Sequence, residues 1–131
     1  MKLTLESIQQ INLFERLTGA KVKDCFIDES VLTFIVEEGN VQRAVKGLDR
    51  ARQAFKKELK IIAFASDPVK FIKNLLFPLK VQEIKQEGKI VIISCQDSRT
   101  KGKVFGRERQ NLKQMLELVK KYYDIEEIKV E

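Results

Sequence analysis

The residues best suited to chemistry lie in one stretch, "TKGKVFGRERQNLK", from Thr100 to Lys113. Gly106 has no side chain, so the backbone there can approach a ligand closely. The residues that follow are patterned as a helix, whose free N–H groups and dipole attract phosphate. Asn111 adds an amide that could read a base edge, cap the helix or face solvent. Basic side chains that could neutralise phosphate flank the glycine on both sides, namely Lys101, Lys103, Arg107, Arg109 and Lys113. The stretch predicts either a phosphate-binding loop or the start of a solvated, charged helix.

Positive charge is concentrated in two blocks of the 131-residue chain, which has a net charge of +6 and a pI of about 9.3. Residues 99–121 include eight basic and two acidic side chains, and residues 43–60 include seven and two. Clustered positive charge of this kind suits a polyanionic partner. The block at 43–60 adds further candidate contacts for such a partner, namely Arg43, Lys46, Gly47 and Arg50.

Several classes of protein are disfavoured by composition. The chain has no histidine, which removes the commonest general base, and it has no P-loop or dinucleotide glycine motif. We therefore expect no enzyme. No apolar run approaches the roughly 18 residues that a membrane span needs, and the N-terminus becomes polar too early for a signal peptide. A cytoplasmic protein is expected.

The two cysteines, Cys25 and Cys95, cannot complete a four-ligand zinc site without histidine. We therefore expect no bound metal. Both lie in apolar, strand-like runs, so two buried thiols are expected. A disulfide between them is left open, because pairing depends on geometry.

The two halves of the chain have the same predicted order of elements: helix, strand, strand, short helix, long helix, strand. In the first half the patterns predict a helix over 5–17, strands over 21–28 and 30–38 around a turn at 28–30, helical residues from 41 to 59, and a strand over 60–65. In the second half they predict a helix over 69–77 after the start signal Ser66-Asp67-Pro68, strands over 79–86 and 89–96, a long helix after Gly106, and a strand over 125–130. The alternative is a single four-element domain with extensions.

The chain resembles the archaeal NusA-like transcription factors, which are two fused K-homology (KH) domains of the prokaryotic type. The residues that carry the resemblance are "LFERLTGAKVKDCFID" (13–28), "FIVEEG" (34–39), "SDPVKFIKNLLFPLKV" (66–81) and "KGKVFGRERQNLK" (101–113). The resemblance implies an α+β fold of two tandem type II KH domains, 1–66 and 67–131, each with a three-stranded sheet and helices on one face. In KH domains a Gly-x-x-Gly loop between two helices clamps about four single-stranded nucleotides.

Both halves depart from that motif. Arg109 stands where the second glycine of the loop belongs, and it either crowds the backbone or adds a phosphate contact. In the first half, aligning Leu48 with Leu112 leaves no residues for a loop, which predicts a deletion of four residues. The alternative register makes residues 46–49 a degenerate loop. Phe105 is expected in the core, because Val45 takes its place in the first half and cannot stack on a base.

The resemblance implies a single-stranded RNA-binding transcription factor of the NusA type that acts with RNA polymerase in elongation, termination or antitermination. RNA would be clamped near Gly106, and the first basic block would extend the binding groove. The alternative is a protein-interaction module that kept the KH fold and lost most of its RNA affinity. The missing first loop and the imperfect second loop favour this alternative, and the two basic blocks oppose it.

Overall fold

A computed structural model describes residues 4–28 and 30–131, which divide after Ala65 into two compact units. The first unit contains α1 (Leu5–Thr18), β1 (Val22–Asp28), β2 (Val31–Val36), α2 (Val41–Lys46), α3 (Leu48–Phe55) and β3 (Glu58–Ala63). The second contains α4 (Pro68–Leu76), β4 (Glu83–Glu87), β5 (Ile90–Ser94), α5 (Ser98–Phe105), α6 (Gln110–Tyr122) and β6 (Glu127–Val130). The predicted α+β class and the predicted order of elements are confirmed in both units.

Each unit holds a three-stranded mixed sheet, with strand orders β1-β2-β3 and β4-β5-β6. The first two strands of each sheet pair antiparallel, and the third pairs parallel to the middle one. Antiparallel neighbours can be joined by a tight hairpin, whereas a parallel neighbour requires a crossover connection. The two consecutive helices between the second and third strands of each unit supply that crossover.

Some boundaries differ from the predicted ones. β4 begins at Glu83 rather than at residue 79, because residues 77–82 form a connecting loop in which Leu79 donates to the Leu76 carbonyl. The helical run predicted to continue to Leu59 ends at Phe55, where Lys56 turns left-handed with φ 55°. Leu59 instead lies in β3 and is buried. The predicted turn at 28–30 includes Glu29, which lies outside the described residues.

Aromatic stacking forms the core of the first unit. The rings of Phe14 and Phe34 are stacked at 4.1 Å between centroids with 16° between their planes, and Phe55 packs on Phe34 at 5.5 Å. Phe14 of α1 and Phe34 of β2 are both fully buried. The stack therefore ties the first helix, the middle strand and the crossover helix α3 together.

The end of α1 is fixed by local hydrogen bonds. Gly19 ends the helix with φ 75°, a left-handed conformation that glycine adopts without steric cost. The Thr18 hydroxyl donates to the Phe14 carbonyl and accepts from the Ala20 backbone N–H. The Glu15 carboxylate accepts from the Val22 backbone N–H at 2.8 Å. Several residues of the stretch "FERLTGAKV" therefore serve to end α1 and to direct the chain into β1.

The core of the second unit is mainly aliphatic and also includes the fully buried ring of Phe71. Val91 and Ile93 of β5, Val104 of α5 and Leu118 of α6 are all fully buried. The unit begins as the sequence predicts, because the Asp67 side chain caps α4 and Pro68 occupies its first turn.

No helix in the described part of the chain is long and apolar enough to cross a bilayer.

Both cysteines are free thiols, and they differ in exposure. Cys25 is 3% exposed, and burial, together with the neighbouring Asp24 carboxylate, raises its pKa to about 11. Cys95 is only partly buried. Its burial also raises its pKa, and the Lys101 ammonium opposes that shift. Cys25 is therefore both shielded and protonated at neutral pH, whereas Cys95 is accessible.

Replacing Phe14 with alanine should lower the free energy of unfolding of the first unit by about 3–5 kcal/mol, because a buried, stacked ring is lost. Urea denaturation followed by far-UV circular dichroism measures the change. Leu5→Ala is the matched control, since Leu5 lies on the same helix and is 72% exposed. A Phe14→Ala variant as stable as the control would show that the stack does not stabilise the fold.

Thiol labelling of the native protein at pH 8 should modify Cys95 at least about tenfold faster than Cys25, because only the thiolate reacts and Cys25 has few thiolates at that pH. Mass spectrometry after iodoacetamide treatment measures the two rates. Labelling of Cys25 should rise as the pH approaches 11, its pKa, and labelling of both sites in urea is the positive control. Equal native rates would contradict the burial of Cys25.

Candidate nucleic-acid interface

The helix before the candidate loop, α5, begins at a well-formed cap. The Asp97 carboxylate accepts from the Thr100 backbone N–H at 2.7 Å, and this hydrogen bond holds the pKa of Asp97 below its ordinary value. The fully buried Val104 anchors the other end of α5 in the core. Lys103 is therefore presented on the exposed side of a fixed helix, beside the loop.

The loop itself, Gly106 to Arg109, consists of a glycine and one 3₁₀ turn. Gly106 has φ 72° and ψ 177°, a conformation that is essentially restricted to glycine. Glu108 and Arg109 are both left-handed, with φ 54° and 61°. The Arg109 backbone N–H closes the turn by donating to the Gly106 carbonyl at 3.1 Å. No side chain in the described part of the chain caps the start of α6. The Gln110 N–H already donates to the Arg107 carbonyl, which leaves the later N–H groups of the first turn for an anion.

Asn111 braces this loop from within. Its side-chain nitrogen donates to the Lys103 carbonyl at 3.3 Å, which links α6 back to α5. The same amide fills the space where Gly106 would carry a side chain, since a Cβ built on Gly106 would lie 2.5 Å from Cγ of Asn111. The hydrogen-bonding amide that the sequence offers as a base reader or a cap is thus engaged inside the loop.

Arg109 folds back over Phe105. Its guanidinium carbon lies 5.0 Å from the centroid of the Phe105 ring, within range of a cation–π interaction. Phe105 is only partly buried, so its predicted place in the core is wrong; the core position belongs to Val104. The corresponding residue of the first unit, Val45, also lies outside the core and is 56% exposed. The apolar pattern of the sequence did not distinguish Val104 from Phe105.

The basic side chains around the second junction lie largely on the surface. Lys103, Arg107, Arg109 and Lys113 are exposed and Lys101 is partly buried. Within residues 4–28 and 30–131, none of these five forms an ion pair with a carboxylate. They flank a single loop, so the structure brings these predicted contacts to one region.

The first unit joins its helices differently. Only Gly47 separates α2 from α3, whereas four residues separate α5 from α6. Gly47 has an ordinary φ of −94°, and a Cβ built on it would lie 2.8 Å from Cγ2 and 2.9 Å from Cα of Thr18. The missing side chain therefore lets the junction pack on the end of α1. Nothing in the local sequence signals this contact with a residue 29 positions earlier.

Buried positions show how much shorter the first junction is. Ala51 follows Ala44 by seven residues, and Met115 follows Val104 by eleven. These pairs occupy equivalent places, the buried side of the helix before and of the helix after each junction. The difference equals the length of the Gly106–Arg109 loop.

The basic block of the first unit is divided between exposed and paired side chains. Arg43, Lys46 and Arg50 are exposed and make no ion pair within the described residues. Arg52 is held by two carboxylates, Asp49 at 3.6 Å and Glu58 at 3.3 Å. The structure therefore leaves three of the predicted cations available and places Gly47 in an internal contact.

The chain is thus a two-unit α+β protein in which one helix junction is an open basic loop and the other is closed. No protein-family model matches it. It is 31% identical to the "Probable transcription termination protein NusA" of Methanocaldococcus jannaschii, over 99% of this chain and 75% of that protein. It is 28% identical to the protein of the same name from Methanococcus vannielii, over 99% and 79%. The corresponding protein of Halococcus morrhuae is 25% identical over 99% of both chains.

A solved structure has the same fold over nearly the whole chain. The crystal structure of APE1850 matches this chain with a TM-score of 0.67 and 25% identity, over 98% of this chain and 99% of that one. The chain belongs to the archaeal NusA family.

Replacing Gly47 with alanine and replacing Gly102 with alanine should change the stability of the protein in opposite directions, so each variant serves as the other's control. Gly47→Ala should destabilise the protein by about 1–3 kcal/mol, because the new methyl group meets Thr18 backbone. Gly102→Ala should stabilise it by about 0.5–1 kcal/mol, because Gly102 lies inside α5 and its missing side chain would point into open space. Thermal unfolding measures both, and a neutral Gly47→Ala would show that the junction is not closed on α1.

Proposed function

We propose that this protein is a single-stranded RNA-binding transcription factor of the NusA type, acting with RNA polymerase in elongation, termination or antitermination. The second junction is the observation that carries the proposal. There the start of α6 has no side-chain cap, and the loop before it begins with a glycine. The five basic side chains around this loop form no ion pairs among the described residues. The printed name of its relatives, "Probable transcription termination protein NusA", supplies the link to transcription. Those names describe no enzyme, and the proposed activity requires no cofactor.

The fold is compatible with two tandem type II KH domains, which we propose as residues 1–66 and 67–131. In support, each unit runs helix, strand, strand, helix, helix, strand, and the strand after the helix pair lies parallel to the strand before it. The loop at Gly106 lies between two consecutive helices, where a KH domain carries its nucleic-acid loop. The chain divides into its two compact units after Ala65, close to the proposed domain boundary.

In this mechanism the loop holds the sugar–phosphate backbone and the flanking cations neutralise it. Gly106 permits close approach of the RNA backbone, and the N–H groups that follow Gln110 in the first turn of α6 donate to phosphate oxygens. Lys103, Arg107 and Lys113 add salt-dependent attraction. Arg109 is compatible with this role despite replacing a glycine, because its guanidinium lies over Phe105. Asn111 acts as a positioning residue that keeps the loop braced against α5.

We infer that the first unit contributes charge but no loop. Its junction is a single glycine packed on Thr18, so it offers no backbone segment to clamp RNA. Arg43, Lys46 and Arg50 would instead attract the polyanion without fixing its position. The closed junction is also the observation that favours the second candidate function, a KH-fold protein-interaction module with little RNA affinity.

Fluorescence anisotropy with mixed-sequence single-stranded RNA tests the proposal. Changing both Arg107 and Arg109 to aspartate should weaken binding at least about tenfold, because two cations at the loop become anions. The slope of the logarithm of the association constant against the logarithm of the salt concentration should fall in magnitude by about 1.4, because two phosphate contacts are lost and each contributes about 0.7 on a single strand. Aspartate tolerates the left-handed backbone at residue 109, so the variant should fold.

The matched control changes Arg43 and Arg50 to aspartate, which alters the net charge equally in the first unit. We expect a smaller loss of affinity than for the loop variant. Equal losses would mean that affinity follows net charge alone and that the loop is not the clamp. Absence of wild-type binding at low salt would reject the RNA function and leave the interaction module.

A further inference from the structure

A groove with a volume of about 520 Å³ lies in the second unit, between α4, the loop 77–82 and the start of β4. Its lining is mainly apolar and includes Val69, Leu76, Phe77, Leu79, Val81 and Ile84. The Phe77 side chain is 72% exposed, although it is the largest apolar group of the groove. A concave apolar surface of this volume falls within the range of ligand-binding sites.

The groove and the RNA loop belong to opposite edges of the sheet. β4 is one edge strand of the order β4-β5-β6, and α4 packs beside it. α5 and α6, which carry the loop, pack beside β6 at the other edge. Four of the five residues of β4 are exposed. The groove is therefore separate from the site proposed above.

The charges of the groove favour an anionic partner. Lys73 and Lys80 line it, and neither forms an ion pair within the part of the chain that the structure describes. Two lysines of the neighbouring β4–β5 hairpin are instead paired, Lys85 with Glu87 at 3.5 Å and Lys89 with Asp124 at 3.6 Å. Glu83 is the one acidic residue among those lining the groove.

We infer that this groove binds a short acidic segment of a partner protein, whose large apolar side chains fill it and whose carboxylates meet Lys73 and Lys80. RNA fits the groove less well. The lining is mostly aliphatic with a single aromatic ring, whereas single-stranded nucleic acid is held by successive aromatic platforms along a strongly positive groove. The inference does not depend on RNA binding at the loop.

Selection from a phage-displayed library of random peptides of about 12 residues tests the inference. The full-length protein is the bait, and the Phe77→Asp variant is used for counter-selection. We expect enriched peptides that combine at least two aromatic or large aliphatic residues with net negative charge. Binding of the synthesised peptides, followed by anisotropy, should weaken about tenfold with Phe77→Asp and about tenfold with the double change Lys73→Glu, Lys80→Glu.

Leu5→Asp is the matched control, because Leu5 is as exposed as Phe77 and lies in the first unit; peptide binding should be unchanged in it. Failure to enrich acidic apolar peptides, or equal binding to wild type and Phe77→Asp, would overturn the inference. So would a loss of single-stranded RNA affinity in Phe77→Asp as large as in the loop variant, since the groove would then belong to the RNA site.

Discussion

The structure depends on one constraint, the parallel pairing of the last strand of each unit with the middle strand. A parallel neighbour cannot be reached by a hairpin, so the chain must return along the sheet before the last strand can form. It does so through two consecutive helices, and the junction between them is an unavoidable feature of the fold. The core requires only that both helices bury an apolar side. The length of the junction is therefore free to vary, and the two units use that freedom differently.

Glycine has opposite uses at the two junctions. At Gly106 it permits a backbone conformation that other residues rarely adopt, and the Asn111 amide occupies the adjacent space. At Gly47 the backbone is ordinary, and glycine is needed because Thr18 leaves no room for a methyl group. One glycine shapes a loop that faces outward, and the other draws two helices against a third. This difference, rather than the number of basic residues, distinguishes the two halves as candidate RNA-binding units.

Much of the fold was predictable because its signals are local. Alternation and β-branched residues marked β2 and β5, and Asp67 followed by Pro68 marked the start of α4. Contacts between distant residues could not be read in this way. Nothing near Gly47 indicates Thr18, and the orientation of Arg109 over Phe105 depends on two left-handed residues that sequence patterns do not specify. The basic residues of the candidate site were predicted from their types and positions, whereas the bracing role of Asn111 needed its bond to Lys103.

The left-handed backbone at Arg109 also bears on how readily the loop can change in evolution. Arginine in this conformation carries a steric cost of about 1–2 kcal/mol that glycine avoids. Every arginine codon becomes a glycine codon by substitution of its first nucleotide. The second unit is therefore one point mutation from a two-glycine loop whose backbone is already in place. The first unit would need inserted codons, and the packing of Gly47 on Thr18 would have to be replaced. Only the second junction can therefore gain a two-glycine loop by a single mutation.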